Sequence, residues 1–317
     1  MFVAIEERVG AMPQVRLINT KTGEYATILP TFGGNVNNLM LRDNRCGLIS
    51  VIDGYVTEAD AAENSGYKSA KLTPFPNRLD GGSYVHNRHR YKLAISRPQE
   101  GHAIHGLWHS AKYEVENLKS SNDKASVNLV FVYDGKTKGY PFACTVQLKY
   151  RLSNKGLRCT TTVINDGEKP MPFGDGWHPY FKLNTPSIDD LELTLPPVRY
   201  MQTNEKNIPT GETVNFLEYL NGASLRDNKL DHGFELINHS KKVQTVISDP
   251  QSGIQLAVWQ NATDNQYRYL QIYTPADRKT IAIEPMSCAA NAFNNKMGLV
   301  VLEPKMIFKA KYGVCLL

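Results

Sequence analysis

Hydrophobic positions in this chain recur mostly at every second residue, in short runs that turn residues separate. Such alternation is typical of strands with one buried face, because successive side chains of a strand point to opposite sides of the sheet. Residues 15–19 and 24–29 are the first such pair, and Gly23 closes the TKTG segment between them, which predicts a hairpin. The same pattern predicts strands at 126–134, 142–152, 157–165, 242–248, 253–259, 267–275, 280–286 and 299–312.

Turn residues support two of the later hairpins. In the SNKG segment, Asn154 and Gly156 suit turn positions with positive φ. In the DPQS segment and just after it, Pro250 and Gly253 shape the chain reversal. Both pairs of flanking strands are therefore expected to run antiparallel.

Helical signals are scarce. The clearest lies at 57–64, where Thr57 can cap a helix and Asp60 stands three residues later, in the spacing of a capping box. Strands joined by short turns, without intervening helices, favour an all-β protein with a mostly antiparallel sheet. No linker, repeat or low-complexity segment divides the sequence, so residues 1–317 are predicted to form a single β-sandwich domain.

The composition is that of a globular protein, with 41% hydrophobic and 21% charged residues. The net charge of +5 comes from 36 Lys and Arg against 31 Asp and Glu, spread along the chain. The best basic cluster, at 88–92, is short and is interpreted as a solvated hairpin edge, with attraction of an anionic ligand as the alternative. We therefore expect no nucleic-acid partner.

Five cysteines are widely scattered and include no CxxC pair, which argues against a disulfide framework or a zinc site and favours a reducing compartment. The start of the chain lacks the pattern of a signal peptide. No run approaches the roughly 18 apolar residues of a membrane span. These features predict a cytoplasmic protein without a membrane partner, either a monomer or a homodimer.

One carboxylate and one imidazole attract attention as acid–base candidates. Glu284 ends the apolar stretch TIAI and precedes a proline, so partial burial should raise its pKa, as suits a general base. His178 lies in GDGWHPYF among aromatic residues, which either form core or line a pocket. We favour the pocket.

A cluster of three histidines offers a competing metal site. His102, His105 and His109 have a spacing that resembles a set of zinc ligands, but the surrounding glycines do not indicate a helix and no acidic or cysteine partner is near. We therefore predict no metal. The sequence contains no GxSxG, Walker loop, HExxH, or GxGxxG after a strand.

The polar residues belong to a series of short motifs whose order along the chain is informative. The motifs, in chain order, are PNRLDGG, IHG, HPYF, LDHGF, LQIYT and IEPM…NAFN. In this order the series resembles the aldose 1-epimerase (mutarotase) family. The resemblance implies a large antiparallel β-supersandwich of the galactose mutarotase-like type, no cofactor, and a small sugar as the substrate.

The resemblance also implies site residues. Glu284 would be the general base and His178 the general acid in the interconversion of the α and β anomers of a free aldose. The expected substrate-binding residues are Asn77, Arg78, His105, Asp231, Gln271 and Trp177. Trp177, Tyr180 and Trp108 would offer apolar faces to the sugar.

Two alternatives stay open. HGLWH and EPMSCAAN depart from the better-known galactose-mutarotase motifs, which leaves the identity of the sugar undecided. A hexose-phosphate 1-epimerase of the same fold would need several basic side chains around the phosphate, for which Lys71, Arg88 and Arg90 are candidates. A non-catalytic sugar-binding protein is the second alternative, although such a protein would have no reason to keep both Glu284 and His178.

Overall fold

The computed structural model describes residues 1–10 and 12–317, which are almost entirely β-structure. In chain order, the strands are β1 Phe2–Val9, β2 Met12–Asn19, β3 Tyr25–Leu29, β4 Asn35–Asp43, β5 Gly47–Ser50, β6 Ala70–Lys71, β7 Arg78–Asp80, β8 Ser83–His86, β9 His89–Lys92, β10 His102–Ile104, β11 Glu114–Ser120, β12 Lys124–Tyr133, β13 Cys144–Ser153, β14 Gly156–Asn165, β15 Met171–Phe173, β16 Trp177–His178, β17 Tyr180–Phe181, β18 Glu192–Thr194, β19 Val198–Thr203, β20 Pro209–Phe216, β21 Ala223–Ser224, β22 Asp231–Leu236, β23 Val243–Ser248, β24 Gln255–Gln260, β25 Tyr269–Tyr273, β26 Ile281–Met286, β27 Val300–Leu302 and β28 Ile307–Leu316. Two short helices, α1 and α2, span Glu58–Glu63 and Ala292–Asn295, and 3₁₀ turns occur at Ser65–Tyr67 and Ile188–Asp190.

Three antiparallel sheets carry the architecture. A nine-stranded sheet has the order β11-β12-β13-β14-β28-β24-β23-β18-β21, and a six-stranded sheet has the order β17-β26-β25-β22-β19-β20. The first five strands form a third sheet in sequence order. Four two-stranded pairs, β7 with β10, β6 with β16, β15 with β27 and β8 with β9, complete the fold. The prediction of an all-β, antiparallel supersandwich is confirmed.

The sheets share one connected hydrophobic core. The five-stranded sheet packs on the nine-stranded sheet, with β2 against β12 and β13 and β4 against β28. Strand β26 is buried at every position, so it lies inside the molecule rather than on its surface. A polar side chain on such a strand has little access to water, and its ionisation is therefore costly.

Local sequence signals predicted the hairpins well. Strands β2 and β3 meet at the Gly23 turn, where φ is +79°, and β13 and β14 meet at Gly156, where φ is also +79°. Asn154, also expected at positive φ, does not adopt it, because one left-handed residue is enough for this reversal. The basic cluster forms most of strand β9, as a hairpin edge with largely exposed side chains.

The predicted helix is also present. Thr57 accepts a hydrogen bond from the backbone N–H of Asp60 at 3.1 Å, and the Asp60 carboxylate accepts one from the N–H of Thr57 at 3.0 Å. This reciprocal pair satisfies two otherwise free N–H groups at the start of α1. None of the helices in the described residues is long and apolar enough to cross a membrane.

Candidate active site

A polar cleft of about 270 Å³ opens beside the six-stranded sheet. Its walls come from the loops that precede β7 and β10, from β16 and β17, and from β22, β25 and β26. The lining side chains are mostly polar or aromatic: Tyr67, Asn77, Arg78, Arg97, Glu100, His105, His178, Tyr180, Asp231, Gln271, Tyr273 and Glu284, with Gly66 and Ile104. The volume is enough for one small polar ligand.

Strand register brings Gln271 and Glu284 together. Gln271 of β25 pairs directly with Glu284 of β26 and with Gly233 of β22. Residues directly opposite one another in a sheet point to the same face, so both polar side chains enter the cleft. Gly233 makes room for Gln271, because a Cβ there would lie 3.1 Å from the Gln271 Oε1 atom and 2.8 Å from the Met201 side chain.

His178 reaches the same cleft from a short strand at its edge. Its backbone pairs with Ala70 of β6, and a β-bridge joins Gly176 to Met286 at the end of β26. The imidazole packs edge-on against the His105 ring, with centroids 5.1 Å apart, and lies 4.9 Å from the Tyr180 ring. Contacts with two elements therefore hold His178 beside the strand of Glu284.

Glu284 and His178 form a close, buried pair. The Glu284 Oε1 atom lies 3.4 Å from the His178 Nε2 atom, and the two residues are 2% and 5% exposed. Burial raises the pKa of Glu284 well above its usual range, with a further increase from the nearby charge of Asp231. Burial lowers the pKa of His178 to about 4. The predicted increase in the Glu284 pKa is confirmed, and both shifts favour uncharged side chains.

A chain of hydrogen bonds forms another wall of the cleft. The backbone N–H of Arg78 donates to Asn77 Oδ1 at 2.7 Å, and Asn77 Nδ2 donates to Gln271 Oε1 at 3.3 Å. Gln271 Nε2 donates to Asp231 Oδ1 at 2.7 Å. The Arg78 guanidinium lies 2.8 Å from Glu100 and 3.8 Å from Asp231. These contacts fix the orientation of the side chains of Arg78, Asn77, Gln271 and Asp231, which together form the polar wall of the cleft.

Three of the cleft residues have a strained backbone. Tyr67, Asn77 and His105 have φ values of +55°, +56° and +61°, in the left-handed region that residues other than glycine seldom adopt. The His105 N–H donates to the Asn77 carbonyl at 2.9 Å, which ties the two loops together. The His105 Nδ1 atom is buried and has no hydrogen-bond partner among the described residues. Such strained and unsatisfied groups are common at ligand-binding sites.

A completely buried ion pair lies close to the segment that carries His178. The Lys71 Nζ atom is 2.7 Å from Asp175 Oδ2, and both side chains have no exposure to solvent. The Tyr267 hydroxyl donates to the same carboxylate oxygen at 2.6 Å. The backbones of Asp175 and Ser287 are also joined, by the 2.8 Å bond from Ser287 N–H to the Asp175 carbonyl. This network links the loop before His178 to the residue after β26.

The structure contradicts one predicted binding residue. Trp177 has no exposure and does not line the cleft, because it precedes His178 in a strand and its side chain points to the opposite face. Its indole stacks on Tyr312 of β28, with centroids 4.5 Å apart. Trp108 is also core, packed between Phe131 and Tyr133. The interpretation of Trp177 and Trp108 as sugar-facing residues is wrong, whereas Tyr180 does line the cleft.

The three histidines of the alternative metal site point to different partners. His102 Nδ1 lies 3.4 Å from an Asp80 oxygen, and His109 Nδ1 lies 2.8 Å from the Asn64 amide nitrogen. Only His105 of the three lines the cleft. In the part of the chain that the structure describes, no group of three His, Cys, Asp or Glu side chains is arranged to hold a metal ion.

Four polar or aromatic lining residues, Tyr67, Arg97, Glu100 and Tyr273, were missed by the sequence analysis. Tyr273 follows Gln271 by two positions on β25, so strand alternation would have placed it on the same face. Tyr67, Arg97 and Glu100 come from irregular segments without a hydrophobic period, where no local pattern indicates which way a side chain points.

The fold is that of the galactose mutarotase-like proteins. A galactose mutarotase-like protein from Clostridium acetobutylicum superposes with a TM-score of 0.88 at 24% identity, covering 100% of this chain and 98% of the other. Galactose 1-epimerase from Lactobacillus acidophilus gives a TM-score of 0.77 at 18% identity, with coverage of 100% and 98%. The chain belongs to the aldose 1-epimerase family, whose sequence profile matches residues 14–314. It is 29% identical over 307 residues to YihR, an uncharacterized Escherichia coli protein, covering 93% of this chain and 92% of YihR.

Proposed function

We propose that this protein is an aldose 1-epimerase that interconverts the α and β anomers of an aldose through acid–base ring opening and closure. The observation that carries the proposal is the Glu284–His178 pair, with 3.4 Å between Oε1 and Nε2, at a cleft of sugar size. Family membership agrees with it. The second carboxylate oxygen, Glu284 Oε2, is buried and has no hydrogen-bond partner among the described residues, as is common for groups at a functional site.

In the proposed mechanism, Glu284 removes the proton from the C1 hydroxyl while His178 donates a proton to the ring oxygen. The bond between C1 and the ring oxygen breaks as the C1 oxygen becomes a carbonyl. Rotation about the C1–C2 bond exposes the other face of this carbonyl, and the two proton transfers then run in reverse. The net composition of sugar and protein is unchanged, and each proton transfer typically contributes about 10²–10⁴-fold in rate.

Before ring opening, the proton shared by Glu284 and His178 must move from the carboxyl group to the imidazole. The pKa of Glu284 is raised and that of His178 is lowered to about 4, so in the free protein the shared proton favours the carboxyl group. The proposed roles require a carboxylate and an imidazolium. Transfer from Glu284 to His178 across their short separation produces that form, and the positive charge of Arg78, which opposes the increase in the Glu284 pKa, favours it.

The polar wall would hold the sugar hydroxyls. Asp231 and Gln271 offer oxygen acceptors, and Arg78 and Asn77 offer N–H donors, in positions that their mutual hydrogen bonds already fix. A site whose groups are oriented before binding avoids the entropy of ordering them. His105, which packs on His178 and lines the cleft, would add a contact through its ring.

The decisive experiment measures anomer exchange on freshly dissolved sugars by polarimetry or NMR, with wild type and Glu284→Gln. The amide keeps the shape of the carboxyl but cannot accept the C1 proton, so we expect a rate loss of about 10²-fold or more with sugar binding changed only a few fold. Glu235→Gln is the matched control, because Glu235 is paired with Arg268 and does not line the cleft.

Two results would contradict the proposal. Wild-type turnover in a correctly folded Glu284→Gln protein would remove Glu284 from the role of base. Failure of the wild type to accelerate anomer exchange for any aldose, with sugar binding intact, would instead favour a non-catalytic sugar-binding protein.

A further inference from the structure

Arg97 places a guanidinium in the cleft that no acidic side chain among the described residues contacts. It lines the cleft, and its guanidinium carbon lies 5.6 Å from the centroid of the Tyr67 ring. No carboxylate among the described residues lies within 4.0 Å of its guanidinium, in contrast to the Arg78 guanidinium in the same cleft. The Tyr67 ring supports the guanidinium and leaves its N–H groups available to a ligand.

Glu100, the acid nearest to Arg97 in sequence, contacts a different arginine. Glu100 is on the same turn as Arg97, and its N–H donates to the Arg97 carbonyl at 3.1 Å. Its carboxylate, however, contacts the Arg78 Nε atom at 2.8 Å. Asp231 also faces Arg78, at 3.8 Å. Both partly exposed acids of the cleft are therefore engaged with Arg78.

The third acid of the cleft adds little negative charge. Burial raises the pKa of Glu284, which favours its neutral form. Glu100 and Asp231 both contact Arg78, so among the described residues no carboxylate contacts the Arg97 guanidinium. The charge also extends toward the reaction centre, because burial and, to a smaller extent, the Arg97 charge lower the pKa of His178.

The other basic residues considered for an anionic sugar do not reach the cleft. Lys71 is completely buried and paired with Asp175. Arg88 and Arg90 belong to the exposed β8–β9 hairpin and do not line the cleft. An anion bound beside the acid–base pair would therefore depend on Arg97.

We propose that Arg97 binds an anionic group of the substrate, so that the preferred aldose carries a carboxylate or a phosphate. This inference rests on the proposed anomerase function and specifies its substrate class. A neutral sugar has no group that compensates a guanidinium, whereas a carboxylate or phosphate accepts two parallel N–H bonds from it. Tyr67 would hold the side chain in place for that contact.

The test compares glucose, glucuronate and glucose 6-phosphate as substrates of wild type, Arg97→Gln and Arg97→Lys. The readout is the kcat/KM for each acidic sugar divided by the kcat/KM for glucose. Loss of a charge-assisted hydrogen bond should lower this ratio by about 10- to 100-fold in Arg97→Gln, and Arg97→Lys should recover part of it. Comparing the two acidic sugars distinguishes a carboxylate site from a phosphate site.

The matched control is Arg90→Gln, which changes the net charge equally on an exposed strand outside the cleft and should leave the ratio unchanged. An unchanged ratio in Arg97→Gln, or an equal decrease in Arg90→Gln, overturns the inference while the anomerase function stands. If no sugar is turned over, equilibrium binding decides. Binding of an acidic sugar that depends on Arg97 supports the anion site although the proposed reaction fails, and binding that does not depend on Arg97 overturns both.

Discussion

The buried imidazole of His178 should make the stability of the protein depend on pH in a calculable way. An unfolded chain takes up a proton on this histidine near pH 6.5, whereas the folded protein does so only near pH 4. Between these values the unfolded state binds more protons, so stability falls as the pH is lowered. The full shift corresponds to about 3 kcal/mol, of which about 2.5 kcal/mol is lost between pH 7.5 and 4.5.

The measurement is the free energy of unfolding in urea, followed by far-UV circular dichroism, for wild type and His178→Gln at several pH values. The variant lacks the titrating group, so the difference between the two proteins isolates His178 from all other ionisable residues. We expect this difference to change by about 2.5 kcal/mol, with the wild type losing relative stability toward low pH.

His89→Gln is the control, since His89 is exposed on strand β9 and reports the effect of removing a surface imidazole. A difference between wild type and His178→Gln that changes by less than about 1 kcal/mol over the same range would refute the argument. It would mean that water or a conformational change solvates the imidazolium in the folded protein. An NMR titration of the His178 ring would then show a pKa near the ordinary value.

Two further variants test the packing beneath the cleft. Lys71→Met should lower the free energy of unfolding by about 3–5 kcal/mol, because Asp175 stays buried without its cation. Lys136→Met removes the cation of an exposed ion pair with Asp134 and should leave the midpoint of the urea titration nearly unchanged, so equal losses in the two variants would argue against the difference in burial. Trp177→Phe should lower the melting temperature through a cavity against Tyr312, at a cost on the order of 1 kcal/mol or more. Sugar affinity, measured by titration calorimetry, should stay unchanged, and a weakened affinity without loss of stability would return Trp177 to the binding surface.

The elements that depend on residues close together in sequence could be predicted from the sequence. Hairpins such as β2–β3 follow from alternation and a glycine at the turn, both of which are encoded within about 15 residues. The cap of α1 is equally local. The order of strands in the nine-stranded sheet, where β14 pairs with β28, depends on contacts far apart in sequence and no local pattern encodes it.

The residues of the cleft could likewise be predicted only where a local sequence signal identified them. Glu284 of β26 was found because a carboxylate on an apolar strand is unusual, whereas Gln271 of β25 was found only through the family resemblance. The strand register, which the sequence did not indicate, aligns Gln271 with Glu284. Trp177 was misplaced because proximity to His178 in sequence was given more weight than the opposite orientation of adjacent side chains in a strand. Arg97 was missed because its direction depends on the Tyr67 ring, 30 positions earlier (97 − 67), across an irregular turn.

The hydrogen bonds along the polar wall run in one direction only. They begin at the N–H groups of Arg78, pass through the amides of Asn77 and Gln271, and end at the Asp231 carboxylate. Reversing either amide would set oxygen against oxygen or nitrogen against nitrogen, so the cation and the anion at the two ends select a single orientation. A hydroxyl that meets the Asp231 end must give a hydrogen, because a carboxylate only accepts. This wall therefore distinguishes sugars by which hydroxyls can donate there, and a methyl ether or a fluorine at such a position would leave the carboxylate without its partner.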